Sequence, residues 1–586
     1  MAGVTEVNNS NEKTILQIRK RDGRIVEFNQ NKISNAALKK VFAYKSRFSF
    51  GCSPDLSKID FTDSSNAIPL LQGWGNYRMP VTATNDSARI YFEQGINMYY
   101  AFHIIESMAS FDKAIKFDSS FAMAYWGKAL AYGPNINDLG YAASPDALAS
   151  MQKAKELYSN CTAAEKELID AMQVRYSADT TQTREYLNLQ YADAMKKVHA
   201  QFPDDADAAA LYADALMVQH PWDFYDHEGK AKSWTPEIVN SLEAILKSSP
   251  NHPGACHYYI HAIEASDHPE RGMAVANRLP SLMPGVSHLV HMPSHIYIRS
   301  GYYKEGVAVN ETAVKSYYSY LSEYAAVANN IPLYLIHNLH MQATCANMDG
   351  RFADALKISN DCRNSFDSSF LSAGGYFGAY VQYVYMTPYF TLIRFGKWDD
   401  ILNQPAIPQA YVYANIIWHY GRGIAYARKQ QPERAMGELE LLKKNLNDPQ
   451  LLEAPPAFNP AIAGAGVAEK MLEGIIEEEN GDLTKAIDLL TQAQIKEDNM
   501  LYNEPKDWVH PVRQYLGDAY IRASRYREAE NIFRDDLKTN PHNGWSLTGL
   551  ATCMLMQNKK TESLKLQQEA KTAFERADIK ITAPVF

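Results

Sequence analysis

Two stretches of the chain, HYYIHAIE (His257 to Glu264) and HLVHMPSHIY (His288 to Tyr297), concentrate side chains that bind metals and move protons. His257 and His261 stand four residues apart, as do His291 and His295, and the second pair follows the first by 34 residues at both positions. Four residues is close to one helical turn, so each pair shares a helix face. Imidazoles spaced in this way present two nitrogens to one ion. Neutral imidazoles with a carboxylate suit zinc, iron, manganese or copper. The spacing therefore predicts metal ligands at His257, His261, His291 and His295, joined by His337 from a third segment, LYLIHNLHMQAT. Glu264 is placed as a fifth ligand, an orienting partner or a general base, and His288 as an outer acid or base. Arg299, one turn beyond His295, would hold an anionic substrate or else a surface ion pair. The competing reading is that duplication of one segment copied the histidines, which then serve packing and hydrogen bonding between helices.

A 34-residue period is the length of the tetratricopeptide (TPR) helix–turn–helix repeat. QYLGDAYIRASRYREAENIFRDDLKTNP carries its signature, with Gly517 followed by Ala529, Phe533 and Pro541 at the positions the repeat requires. GIIEEENGDLTKAIDLL repeats the scheme with Gly474, Ala486 and Leu490. AMAYWGKALAY, HNLHMQATCANMDGRFADALK and WHYGRGIAYARKQQPERAM read as further, degenerate first helices. In such an array the first helix of each pair lines a concave groove. HPGACHYYIHAIEAS, SHLVHMPSHIYIRSG and LYLIHNLHMQAT are three consecutive groove helices carrying seven of the 16 histidines, His340 among them. Pro293 removes one backbone hydrogen bond from the second of these and predicts a kink inside the cluster. His220, beside Trp222 in QHPWDFYDHEG, reads as part of a loop anchored by tryptophan packing.

The expected fold class is all-α, a right-handed TPR superhelix over residues 86–586, preceded by a small α/β segment (1–45) and a linker rich in Ser, Asp, Gly and Pro (46–85). In the first segment Ile15, Leu16 and Ile18 precede a turn at Asp22-Gly23, and Ile25, Val26 and Phe28 follow it, which reads as a hairpin leading into a helix near Lys32. The residues Lys20-Arg21-Asp22-Gly23-Arg24, Phe28 and Lys32-Ile33 resemble the start of an ATP-cone, the nucleotide-binding regulatory module of ribonucleotide reductases. The resemblance implies ATP contacts from Lys20, Arg21 and Lys32. It covers about thirty residues, and the further helices of a complete module do not appear before residue 85. A half-domain without nucleotide is the alternative.

The net charge of −9 argues against a nucleic-acid partner, because neutralising phosphates needs a basic face. Six scattered cysteines without a C-x-x-C pair point to neither a disulfide framework nor a thiolate site. With no long apolar run in the first fifty residues, a cytoplasmic location and no membrane contact are expected. The 37 tyrosines are unusually many and suit a lined groove or repeat packing. NHPGACHYYIHAIEAS, HLVHMPSHIYIRSGYY and AVNETAV resemble signatures of a group of bacterial TPR proteins to which no reaction is assigned. That resemblance extends over nearly all of the chain after residue 85. Two functions follow as expectations: a scaffold holding a peptide, protein segment or small ligand in the groove, or a metal-dependent hydrolase or oxidoreductase acting there on a small substrate.

Overall fold

The computed structural model describes residues 17–19, 25–27, 68–137, 141, 143–324 and 332–586. Strands Gln17–Arg19 and Ile25–Glu27 pair antiparallel, with Ile18 opposite Val26, as the hairpin reading requires. Lys20, Arg21 and Lys32 lie outside the described residues. The last part of the segment read as a linker, residues 68–85, has no helix or strand but packs onto the array. Trp74 and Met79 are buried, and the Gln94 side chain accepts from the Leu71 amide at 2.9 Å.

Between Asp86 and Ala573 the described residues are mostly α-helical, and successive helices pack against each other in pairs as TPR units do. The repeat signature has a direct steric cause. A Cβ on Gly517 would stand 2.4 Å from the Phe533 ring, and one on Gly549 would stand 2.3 Å from the same ring. Phe533 is therefore gripped between its own repeat and the next. Phe111 is gripped in the same way by Gly95 and Gly127, at 2.8 and 2.4 Å. Ala529, Ala486 and Leu490 are fully buried where the sequence placed them.

The tight turns inside the helix pairs obey a second rule. Gly301, Gly350, Gly396 and Gly481 each take a positive φ there, between 62° and 88°, a region that favours glycine. Gln430, Ser524 and Asn558 take the same conformation. In the first pair, Asp86–Tyr100 with Ile104–Phe117, the residue at that turn is Phe102 at φ 57°. A bulky side chain in this region costs about 1–3 kcal/mol, and what its ring covers is described below.

Pro293 breaks the second groove helix into Ser287–His291 and Pro293–Arg299, as its missing N–H predicts. The superhelix also closes on itself. The Asp578 carboxylate accepts from the Phe352 and Ala353 amides, both at 2.7 Å, and the Trp545 indole donates to the Asn347 carbonyl at 3.2 Å. Lys304 pairs with Glu575 at 2.9 Å. This closure brings the segment between Leu483–Asp498 and Val512–Arg522 into the concave side. Among the described residues no helix is long and apolar enough to cross a membrane.

Candidate metal centre

The helix Pro253–Ile263 starts at His252, whose ring accepts from the Ala255 amide while Pro253 fills the first turn. Gly254 lets this helix approach Tyr100 closely, since a Cβ there would stand 2.4 Å from that ring. The contact carries the Tyr100 carbonyl to His257, whose Nδ1 lies 2.6 Å from it. One turn on, His261 Nδ1 lies 3.0 Å from Glu264 Oε1. In the broken helix, His291 Nδ1 lies 2.6 Å from Asn310 Oδ1. His295 Nδ1 forms an ion pair with Glu264 Oε2, at an angle poor for a hydrogen bond.

Each of these four imidazoles thus has an acceptor on Nδ1. That acceptor fixes the tautomer, so Nε2 carries a lone pair. The Nε2 atoms face one another. His257 Nε2 is 3.1 Å from His261 Nε2 and 3.1 Å from His288 Nε2. His291 Nε2 is 2.9 Å from His295 Nε2, and His337 Nε2 is 3.4 Å from His295 Nε2. The histidines form two triads, His257–His261–His288 and His291–His295–His337, the donor atoms of each lying within 4.8 Å of one another. Lone pairs meeting lone pairs inside a protein repel unless a proton or a metal cation sits between them.

Electrostatics favour the neutral ring at every histidine of the triads except His295. Burial, with neighbouring imidazoles, drives His257, His288, His291 and His337 well below the usual histidine range. His261 is lowered by burial, partly countered by Glu264. His295 alone is raised, because Glu264 outweighs the burial. Burial would lift the Glu264 carboxyl, yet His295 and His261 pull it down to about 2. Phe102, in its strained turn, lays its ring on the first triad, with centroids 4.5 Å from His257 and 6.0 Å from His261.

A cavity of about 180 Å3 opens onto both triads. Its walls are Trp222, Leu333, Tyr376, Phe377, Tyr380 and Phe458, with Tyr502, Asn503 and Glu504 entering from the returning segment. The Trp222 ring stands edge-on to His261 at 5.1 Å, on a backbone with φ 62°. Glu504 bonds the Tyr502 hydroxyl, and burial pushes its carboxyl up to about 7.

Several expectations change in this geometry. The four-imidazole set built from both pairs is divided between the triads. His288, read as an outer acid or base, stands among the nitrogens of the first triad. Both Glu264 oxygens are engaged by histidine Nδ1 atoms, so its geometry is that of an orienting partner. Arg299 does not line the histidine cavity. It donates to the Ser266 carbonyl at 2.8 Å and lies against Tyr502, which separates it from the triads. His340, three residues beyond His337, turns to a different small cavity with Arg394 and His510. His220 stacks on Trp234 at 3.9 Å, so its loop is anchored by tryptophan packing as read, while Trp222 faces the histidines.

The sequence reading missed Asn310, Phe102 and Glu504, and named Trp222 only as the neighbour of His220, at the groove mouth or in a packed loop. Asn310 was visible in AVNETAV as part of a signature but carried no spacing that tied it to a histidine. Glu504 reaches the site only through closure of the superhelix, more than two hundred residues downstream of the triads' first pairs.

Neither a known protein family nor a curated protein matches the sequence. Solved structures with a similar course are TPR-type helical-repeat chains. The human IFIT1 dimer with m7Gppp-AAAA is 12% identical, with 84% of this chain and 91% of that one covered and a TM-score of 0.29. Yeast Tom70 is 11% identical, covering 84% and 91%, with a TM-score of 0.27. Cut9 in the APC/C hetero-tetramer Cut9–Hcn1 is 12% identical, covering 85% and 97%, with a TM-score of 0.26. At these identities and scores the likeness carries no inference about what this chain does.

Proposed function

We propose that the chain is a metalloprotein that holds a transition ion on histidine nitrogens at the centre of its superhelix and acts there on a small organic molecule. The observation that carries this reading is the set of facing Nε2 atoms, with the Nδ1 atoms of His257, His261 and His291 held by acceptors and His295 Nδ1 paired with Glu264. A histidine cluster serving only packing would distribute its hydrogen bonds between nitrogens and polar neighbours, not direct its acceptors at one another. An all-imidazole donor set, with the carboxylate behind it, suits zinc, copper or iron better than manganese, which favours oxygen. Three protein ligands per ion leave a position open to substrate, as in catalytic zinc sites. The ion would act as a Lewis acid there. Glu504, the carboxyl on the cavity wall with an elevated pKa, is in place to take or give a proton.

The cavity argues for a small molecule over a peptide. Ala457, Phe458 and residues 502–504 stand in the concave side where a bound segment would run. Aromatic walls favour a substrate with an apolar body. The scaffold reading remains the second one, supported by the TPR architecture itself. Elemental analysis of full-length protein purified without a His-tag decides between them, alongside the His257→Ala/His291→Ala variant. Stoichiometric metal in the wild type that is lost in the variant supports the metalloprotein. A wild type that stays metal-free after incubation with zinc, copper and iron leaves the scaffold.

A further inference from the structure

We infer that the centre holds two ions, one in each histidine triad, oriented through a single shared carboxylate. The inference rests on the metal-binding reading above and specifies its stoichiometry. The two triads are built by the same rule. Each takes an H-x-x-x-H pair from one groove helix and a third histidine from the next segment along the superhelix: His257 and His261 with His288, then His291 and His295 with His337. The 34-residue register repeats the H-x-x-x-H pair, while the third histidines, His288 and His337, stand 49 residues apart and are supplied in each case by the following segment.

The distances agree with this partition. Imidazole nitrogens bound to one tetrahedral ion at about 2.0–2.1 Å stand roughly 3.3 Å apart. Within the first triad the measured Nε2 separations are 3.1 and 3.1 Å, and within the second 2.9 and 3.4 Å. Ring centroids do not separate the groups, since His261–His288 within the first triad (6.1 Å) is as long as His261–His295 across them (5.8 Å); the partition rests on the Nε2 contacts, all of which fall within a triad. One ion that prefers four ligands cannot gather six nitrogens divided in this way.

Each triad also has its own support: the Tyr100 carbonyl behind His257 and Asn310 behind His291. Glu264 alone serves both, with Oε1 on His261 and Oε2 on His295. Two divalent ions on six neutral imidazoles carry excess positive charge that one carboxylate offsets only in part. The open positions facing the cavity would therefore take an anionic oxygen ligand.

The test uses the full-length, tag-free chain, stripped of metal and titrated with zinc or cobalt(II), with bound metal counted by elemental analysis. Cobalt(II) adds a visible spectrum that reports tetrahedral nitrogen ligation. The inference expects two ions per chain in the wild type, one in His257→Ala and one in His337→Ala. Circular dichroism confirms that each variant is folded, and the wild-type count stands without any variant. One ion per chain in the wild type overturns the two-ion inference and leaves the metalloprotein reading intact. No bound ion overturns both.

Discussion

Replacing Glu264 by Gln tests how the centre is held. In the wild type the carboxylate offers one oxygen to His261 and the other to His295, and both contacts are buried. Glutamine keeps the shape but offers one acceptor. Its amide nitrogen must then face one of the two Nδ1 atoms, donor against donor. That imidazole can escape only by moving its proton to Nε2, which removes the lone pair that a metal needs. Loss of such an orienting partner costs about 10- to 100-fold in metal affinity, or about 1.4–2.7 kcal/mol for an ion so affected. Because His261 and His295 belong to different triads and the amide oxygen can serve only one of them, Glu264→Gln should weaken at least one site and prevent both from being filled at wild-type affinity. Asn310→Ala should weaken only the site containing His291, by a similar factor, since Asn310 supports no other ligand. Competition titrations with a chromophoric chelator measure both affinities. Glu264→Gln with both sites within twofold of the wild type would refute the shared-carboxylate account.

Other predictions concern the scaffold, the proton balance and the N-terminal hairpin. Gly517→Ala pushes a Cβ to 2.4 Å from Phe533 and should lower stability by about 1–3 kcal/mol. Gly437→Ala, in a helix with nothing within 4 Å of the new Cβ, should raise it by about 0.5–1 kcal/mol. Urea denaturation followed by circular dichroism reads both, and equal effects would remove the packing argument. Burial lifts the Asp349 carboxyl to about 6. The native chain then keeps a proton that the unfolded chain releases near pH 4. Stability from this group is present below about pH 4 and is lost as pH rises towards about 6, by about 2–3 kcal/mol. Asp349→Asn should flatten that part of the stability profile, and an unchanged difference curve between pH 4 and 7 would count against the assignment. Nucleotide binding by the hairpin predicts saturable ATP binding that weakens in Lys20→Ala, Arg21→Ala or Lys32→Ala, and no saturable binding leaves a half-domain.

Local chemistry made part of this molecule legible in its sequence. The Gly–Ala–Phe spacing around Gly517 specifies a helix pair because glycine must meet a ring and the ring must fill the groove, and the structure shows both contacts. Pro293 announced a break because a missing N–H cannot be repaired locally. The histidine pairs were visible because a helical turn fixes which side chains share a face. Their grouping was not. Whether His291 joins His257 or His337 depends on the angle between successive groove helices, which no residue spacing encodes. Arg299 was misplaced for a related reason: sequence proximity to His295 put it in the cavity, and the returning Tyr502 lies between them. Phe102 carried no signal in the sequence; it stands out through its bulk at a turn whose positive φ is elsewhere taken by Gly, Gln, Ser or Asn.

The claim that the facing imidazoles are ligands is tested most directly by X-ray absorption spectroscopy on the metal-loaded, tag-free chain. The account predicts a first shell dominated by about three imidazole nitrogens per ion near 2.0–2.1 Å for zinc, with the outer-shell scattering that rigid imidazole rings produce. In His337→Ala the metal bound per chain should fall by half with the imidazole shell per ion unchanged, and the imidazole signal should vanish in the His257→Ala/His291→Ala/His337→Ala variant. A first shell of oxygens without imidazole scattering, unchanged when the triads are removed, would place the metal elsewhere and contradict the account.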